Sequence, residues 1–140
     1  MVRLTQTLAL GLAALSTSAC ATFPSAQQPV QVMGEISYRE RIALPPTAQI
    51  EIRVDDVSRM DAPARTLARQ AFTANGRQVP FAFSLTVDKG EIDPRGRYTL
   101  SARITDASGR LMFITDTHND VQFDSRKLVD MGMVTLVKTR

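Results

Sequence analysis

The chain has 140 residues and a formal net charge of +3, with 44% hydrophobic and 22% charged residues. This length provides for one domain with an ordinary apolar core. Basic and acidic residues are interspersed along the chain instead of forming a basic block, which argues against a nucleic-acid partner. The single cysteine excludes a disulfide within the chain, and the single histidine leaves few residues for the common hydrolytic sites.

The first residues have the pattern of a signal peptide. Arg3 provides a short positively charged region, residues 4–15 are mostly Leu, Ala and Gly, and small residues follow. The apolar run is too short to cross about 30 Å of hydrocarbon as a permanent helix. We therefore predict that residues 1–19 are a signal peptide and that the protein is exported.

Cys20 stands directly after this run, and two processing outcomes are open. Cleavage before Cys20 would leave its thiol to receive lipid, as in bacterial lipoproteins, and this explains a lone cysteine at the junction. Ala19 and Ala21 also form an A-x-A site, and cleavage after Ala21 would discard the cysteine. The leucine usual three places before a lipidated cysteine is Thr17 here. We predict that Cys20 is lipidated and attaches the protein to a membrane.

A short tether is expected to follow. The segment ATFPSAQQP is small, polar and interrupted by proline, which is typical of a flexible connection. The predicted organisation is therefore a lipidated N-terminus and tether over residues 20–29, and a folded domain over residues 30–140.

Alternating apolar and polar residues dominate the predicted domain. QIEIRVDD, VPFAFSLTV and RYTLSARIT each place apolar side chains on one face, as half-buried antiparallel strands do. RLMFITD and MVTLVK are apolar on both faces, which is typical of central strands. Turn sequences such as Asp93 to Gly96 and Asp106 to Gly109 separate the strands. These features predict an all-β fold, a single antiparallel β-sandwich of about seven strands.

Residues 61–73 fit two interpretations. Ala64, Leu67, Ala68, Ala71 and Phe72 have helical spacing, and Asp61 is a suitable cap. The alternative is a strand over residues 67–73, paired through a turn at Asn75-Gly76 with the next strand. We favour the strand because an isolated helix would interrupt a series of hairpins.

Two residue groups are candidates for a metal or ligand site. Asp116, His118 and Asp120 alternate in DTHND and would share one face of a strand, but three ligands from one short run seldom complete a metal site. Phe81 and Phe83 are more typical of a core than of a ligand slot. No metal, cofactor or catalytic residue is therefore predicted.

The segment SYRERIALPP places Arg39 and Arg41 around Glu40, just before Pro45-Pro46. Arginines on a strand can bind an acidic partner. The alternative, which we favour, is that these charges protect an edge strand from aggregation.

In five segments the chain resembles the YbaY/YscW family of small bacterial lipoproteins, whose founding members are called type III secretion lipoprotein chaperones. The segments are, in order, GEISYRERIALPP, IRVDDVSRMDAPA, VPFAFSL, IDPRGRYTLSARIT and LMFITDT, which cover most of residues 34–117. The resemblance implies a β-sandwich lipoprotein that faces the periplasm from the outer membrane. Ala21 after the cysteine, in place of aspartate, is similar to outer-membrane cases. Some relatives are pilotins, which bind a secretin subunit and guide it to the membrane. The family supplies no catalytic residues.

The leading hypothesis is a non-enzymatic outer-membrane lipoprotein whose domain binds or chaperones another envelope component, through a partner strand added to an exposed sheet edge. Two alternatives stay open. One is a soluble periplasmic module that binds a glycan or small ligand, and the other is a metal-dependent enzyme that uses Asp116, His118 and Asp120.

Overall fold

The computed structural model describes residues 28–140, which form eight β-strands and one short 3-10 helix at Lys89–Glu91. The all-β prediction is confirmed. The strands are β1 Val30–Tyr38, β2 Gln49–Asp56, β3 Arg65–Thr73, β4 Phe81–Val87, β5 Tyr98–Thr105, β6 Leu111–Ile114, β7 Asn119–Asp120 and β8 Leu128–Lys138.

The strands form one sheet in the order β3-β2-β5-β6-β8-β1-β4, with the two-residue β7 paired to β5. Every ladder is antiparallel except the one between β1 and β8, which is parallel. The sheet curls until its two edge strands meet. There, the Ser84 amide of β4 donates to Gln70 Oε1 of β3 at 3.0 Å, and the rings of Phe72 and Phe81 pack edge to face. The sheet is thus nearly closed into a barrel, a tighter closure than two separate sandwich layers would give.

The barrel has two distinguishable ends. Strands β1, β3, β5 and β8 run away from the end at which Gln28 enters, and β2, β4 and β6 run back toward it. We call the end with Gln28 the tether end, and the opposite end the far end. The loops after β2, β4 and β6 are at the tether end, whereas those after β1, β3 and β5 are at the far end.

Residues 65–73 form a strand, as we favoured, but the predicted pairing of this strand with the next one is wrong. No backbone ladder joins β3 to β4 within residues 28–140. Instead, the Ala74 amide donates to the Ala48 carbonyl and the Asn75 amide to the Pro46 carbonyl. Because the turn is bound to the loop before β2, it does not bring β3 and β4 into register.

Alternation along the strands builds the core. Ile50, Ile52 and Val54 of β2 are fully buried, and β4 and β5 bury every second residue in the same way. Each such side chain contributes about 1.5–3 kcal/mol relative to its exposed state. The core therefore follows the two-residue period of the sequence.

A bulge in the ladder between β1 and β8 depends on two glycines. The register shifts between Met33 and Glu35, opposite Gly132, whose φ of 60° is in the left-handed region. Asp130 Oδ1 accepts a hydrogen bond from the Gly132 amide at 2.8 Å and holds this turn. A Cβ at Gly34 would lie 2.7 Å from the Gly132 carbonyl oxygen and 3.0 Å from Phe83 Cζ.

We expect Gly34→Ala to destabilise the protein by about 1–3 kcal/mol, because the new methyl group overpacks a backbone contact that cannot move freely. Urea unfolding measures this change. Ser84→Ala, on an exposed position of the adjacent β4, is the control and should change stability by less than about 0.5 kcal/mol. Equal stabilities of the two variants would contradict the proposed close approach.

Candidate binding surfaces

The predicted lipidation site lies outside the part of the chain that the structure describes. Cys20, the predicted signal peptide and residues 21–27 of the predicted tether all precede Gln28. The first core residue after the tether is Val30, which is buried at the start of β1. Over residues 28–140, no helix is long and apolar enough to cross a membrane.

The structure brings together two of the three residues weighed as metal ligands. His118 Nε2 lies 3.0 Å from Asp120 Oδ1, and both side chains are more than half exposed. Asp116 does not join them, because the described residues contain no group of three acidic, histidine or cysteine side chains placed to hold an ion. The geometry is that of an exposed contact between one imidazole and one carboxylate.

Phe81 and Phe83 are buried in the core, as the favoured interpretation predicts. Gly34 lies beneath Phe83, and Phe72 packs on Phe81. Arg77 lies over the Phe72 and Phe81 rings, 5.4 and 5.9 Å from their centroids. These rings therefore fill the interior and the β3–β4 seam and do not line a ligand slot.

The arginines of SYRERIALPP do not protect an edge strand, so that interpretation is wrong. β1 lies between β8 and β4, and Arg39 and Arg41 follow its last residue in the far-end loop. Burial raises the pKa of Tyr38, and the charge of Glu40 raises it further. The Tyr38 hydroxyl donates to the Ile42 carbonyl at 2.6 Å and fixes this loop.

On the outer face of β2, the carboxylate of Glu51 lies close to three arginine side chains. Glu51 is only 11% exposed and accepts from Arg69 Nε at 2.8 Å. Arg103 Nη2 lies 3.1 Å and Arg53 Nε 3.8 Å from its other oxygen. This network joins β3, β2 and β5 on their solvent side, because Arg103 lies directly across the ladder from Glu51 and Arg69 lies diagonally across it.

The most open feature of the sheet is one edge of β8. β6 has four residues against eleven in β8, and the β6–β8 ladder contains two residue pairs, Phe113 with Lys138 and Ile114 with Val137. After Ile114 the chain leaves β8 and pairs with β5 as β7. From Leu128 to Thr135, every ladder partner among residues 28–140 therefore lies in β1, and Met131 and Gly132 at the bulge have none.

Backbone groups point out along this edge. The Gln31 amide of β1 donates to the Lys127 carbonyl at 2.9 Å. Because successive residues of a strand direct their peptide groups to opposite sides, Val129 and Met131 face β1, whereas Leu128 and Asp130 face away from it. Beyond the bulge, Met133 faces the same way as Leu128 by this alternation. We call the backbone of residues 128–135 on this side the open edge.

A cleft of about 750 Å³ lies beside the open edge, between residues 120–122 and residues 126–131. Two apolar side chains of β8 are exposed: Leu128, which lines the cleft, at 45%, and Met133 at 54%. The sequence suggested that the last strand is central on both sides, because its residues are apolar on both faces. β8 is instead open along most of one side because β6 is short, and no local sequence signal predicts the short length of β6.

Comparisons with known proteins agree with this fold. The family described as type III secretion system lipoprotein chaperone (YscW) matches residues 27–133. The chain is 36% identical over 126 residues to the uncharacterized lipoprotein YbaY of Escherichia coli strain K12, and the match covers 90% of this chain and 66% of YbaY. It is 42% identical to an alternative pilotin from the type II secretion system of Vibrio cholerae, whose structure it matches with a TM-score of 0.69 over 79% of this chain and 99% of the pilotin chain.

For the outer-face network, we expect Glu51→Gln to cost about 1–2 kcal/mol, because it leaves three arginine side chains facing one another at a half-exposed site. The loss should shrink as salt is raised, since salt screens the repulsion. Urea unfolding at low and high salt measures both effects. Glu35→Gln, on an exposed residue with no ion pair among those described, is the control; an equal cost for both variants would contradict the role of Glu51.

Proposed function

The chain belongs to the YscW family of type III secretion system lipoprotein chaperones, and on that premise we propose that it is a non-enzymatic outer-membrane lipoprotein that binds and chaperones another protein of the cell envelope. The similarity to a type II secretion pilotin supports a secretin subunit as the partner. Because the chain covers 66% of YbaY, the function of that whole protein is not transferred.

In this proposal, lipid on Cys20 holds the domain at the membrane. Nine residues, 21–29, reach about 15–18 Å as a flexible coil, so the tether end stays close to the bilayer. Each buried methylene of the acyl chains contributes about 0.8 kcal/mol, which makes attachment by three chains practically permanent. Ala21 after the cysteine supports the outer membrane as the destination, as the family resemblance implies.

The observation that carries the binding role is the open edge of β8. An extended segment of the partner can pair with the outward peptide groups of Leu128 and Asp130, and each main-chain hydrogen bond would contribute about 0.5–1.5 kcal/mol. The exposed side chains of Leu128 and Met133 then lose contact with water. The other gap in the barrel, between β3 and β4, is occupied by Gln70, Phe72 and Phe81 and is a weaker candidate.

The alternatives have less support. A soluble ligand-binding module would need an aromatic-lined pocket, and Phe81 and Phe83 are part of the core. A metal-dependent enzyme would need Asp116 beside His118 and Asp120, and the structure pairs only the last two of these. The proposal therefore depends on the anchor and the open edge, which are tested separately.

To test the anchor, we expect a palmitate analogue to label the wild-type protein in cells and not Cys20→Ser, because the thiol is the attachment atom. Gel fluorescence after affinity purification measures the label. Intact mass and membrane fractionation of both forms serve as controls. An unlabelled wild-type protein that begins at Thr22 would contradict the proposal and support the soluble alternative.

To test the open edge, we compare Leu128→Pro with Leu128→Ala. Proline removes the outward N–H of residue 128 without breaking a bond to β1, and alanine retains that N–H. We expect the proline variant to recover about tenfold less crosslinked envelope partner than the alanine variant, which corresponds to about 1.4 kcal/mol. Quantitative mass spectrometry of copurified proteins measures the yield.

Thermal unfolding of the two Leu128 variants checks that both are folded. Equal recovery of the same partner by folded proline and alanine variants would exclude strand addition at this edge.

A further inference from the structure

Charge is unevenly distributed between the two ends of the barrel. The far-end segments, residues 39–48, 74–80, 106–110 and 138–140, carry six basic and two acidic side chains, a net charge of +4. The tether-end segments, residues 28–29, 57–64, 88–97 and 115–127, carry six basic and seven acidic side chains, a net charge of −1. The far end therefore attracts anionic groups, and the tether end does not.

A groove of about 370 Å³ opens at the far end, between the start of β6 and the end of β8. Its volume is within the range of about 300–1,000 Å³ that is typical of ligand sites. Apolar residues and basic residues share its lining. The apolar ones are Ile42, Leu111, Met112 and Phe113, and the basic ones are Arg110, Lys138 and Arg140.

Internal contacts hold the apolar floor in place. Phe113 stacks on Tyr38 with ring centroids 4.0 Å apart, and the Tyr38 hydroxyl binds the Ile42 carbonyl. On the other side, the Thr139 hydroxyl donates to the Leu111 carbonyl at 2.6 Å and the Thr139 amide to the Met112 carbonyl at 2.9 Å. A preformed groove costs little ordering free energy when a ligand binds.

Two of the three basic side chains that line the groove have no ion-pair partner among the described residues. Arg110 pairs with Asp106 at 3.1 Å, and a hydrogen bond from the Ser108 hydroxyl, with help from the Arg110 backbone, lowers the pKa of Asp106. Lys138 and Arg140 form no ion pair with the residues that the structure describes. Their charges are available to a ligand.

We propose that the far-end groove docks an acidic segment of a partner protein that also carries apolar side chains. The apolar side chains lie on Ile42, Leu111 and Met112, and the carboxylates pair with Lys138 and Arg140. This site rests on the proposed function, because the lipid anchor places the far end away from the bilayer and toward other envelope proteins. It is separate from the open edge, which begins at the tether end.

The charge contrast favours a peptide over the other anionic partners. Phospholipid headgroups would meet the tether end first, which is not basic, and a nucleic acid would not use an apolar floor. A peptide with both acidic and apolar side chains matches the basic residues and the apolar residues of the lining. A membrane surface is therefore an outcome of the test and not the proposal.

The test uses the full mature protein in detergent and three fluorescent twelve-residue peptides. The first alternates Glu and Leu, the second Lys and Leu, and the third Glu and Ser. We expect the Glu–Leu peptide to bind about tenfold more tightly than either of the others, because only it supplies both the charge and the apolar contacts. Anisotropy measures the affinity, which should fall as salt is raised.

Matched variants locate the binding. We expect the double variant Lys138→Glu, Arg140→Glu to lose about tenfold in affinity for the Glu–Leu peptide, and Arg95→Glu, Arg97→Glu at the tether end to lose little. Ile42→Ser should also weaken binding, because it removes an apolar side chain from the floor of the groove. Thermal unfolding confirms that each variant is folded.

Three results would overturn the proposal: equal affinity for the three peptides, equal loss in the two double variants, or preferential binding of phosphatidylglycerol vesicles through Lys138 and Arg140. The measurement does not depend on lipid or on the open edge. If the protein purified from cells carries no lipid but still discriminates among the peptides, the anchor is refuted and the groove is not. Leu128→Pro should leave the affinity for the Glu–Leu peptide unchanged, because residue 128 lies outside the groove.

Discussion

The parallel ladder between β1 and β8 is the constraint on which the rest of the structure depends. It joins the first strand of the domain to the last, and β1 also carries β4 on its other side. Without this ladder, only the contacts between β4 and β3 would hold β1 and β4 to the other strands. Its geometry requires close backbone approach at Gly34 and a left-handed turn at Gly132, two positions where a larger residue is costly.

The same ladder determines where the functional surfaces lie. β8 uses one side to pair with β1, and the short β6 covers its other side for only two residue pairs. The uncovered part forms the open edge near the tether end. The covered part, with Ile42 from the loop after β1, forms the basic groove at the far end. In the proposed anchored protein, the single strand β8 thus carries both proposed binding surfaces.

The sequence predicts local structure well here, because local structure depends on alternation. Ile50, Ile52 and Val54, and likewise Phe81, Phe83 and Leu85, face the core as their two-residue period requires. In β3 the strand interpretation is correct despite the helical spacing, because tertiary pairing with β2 outweighs periodicity.

The pairing of the strands, in contrast, could not be predicted from the sequence pattern. Asn75-Gly76 suggested a β3–β4 hairpin, but the amides of Ala74 and Asn75 donate to the Ala48 and Pro46 carbonyls, far away in sequence. The parallel partner of β1, the open edge and the far-end groove all arise from such long-range contacts. Cys20 was identified from sequence alone and stays a prediction.

Residue-resolved hydrogen exchange of the backbone amides in β8 tests the central claim most directly. The amides of Val129 and Met131 donate toward β1 and should exchange slowly, whereas those of Leu128 and Asp130 face the open edge and should exchange much faster. This contrast between adjacent residues is the signature of a strand paired on one side. Slow exchange at all four amides would show that the edge is covered and would contradict the account.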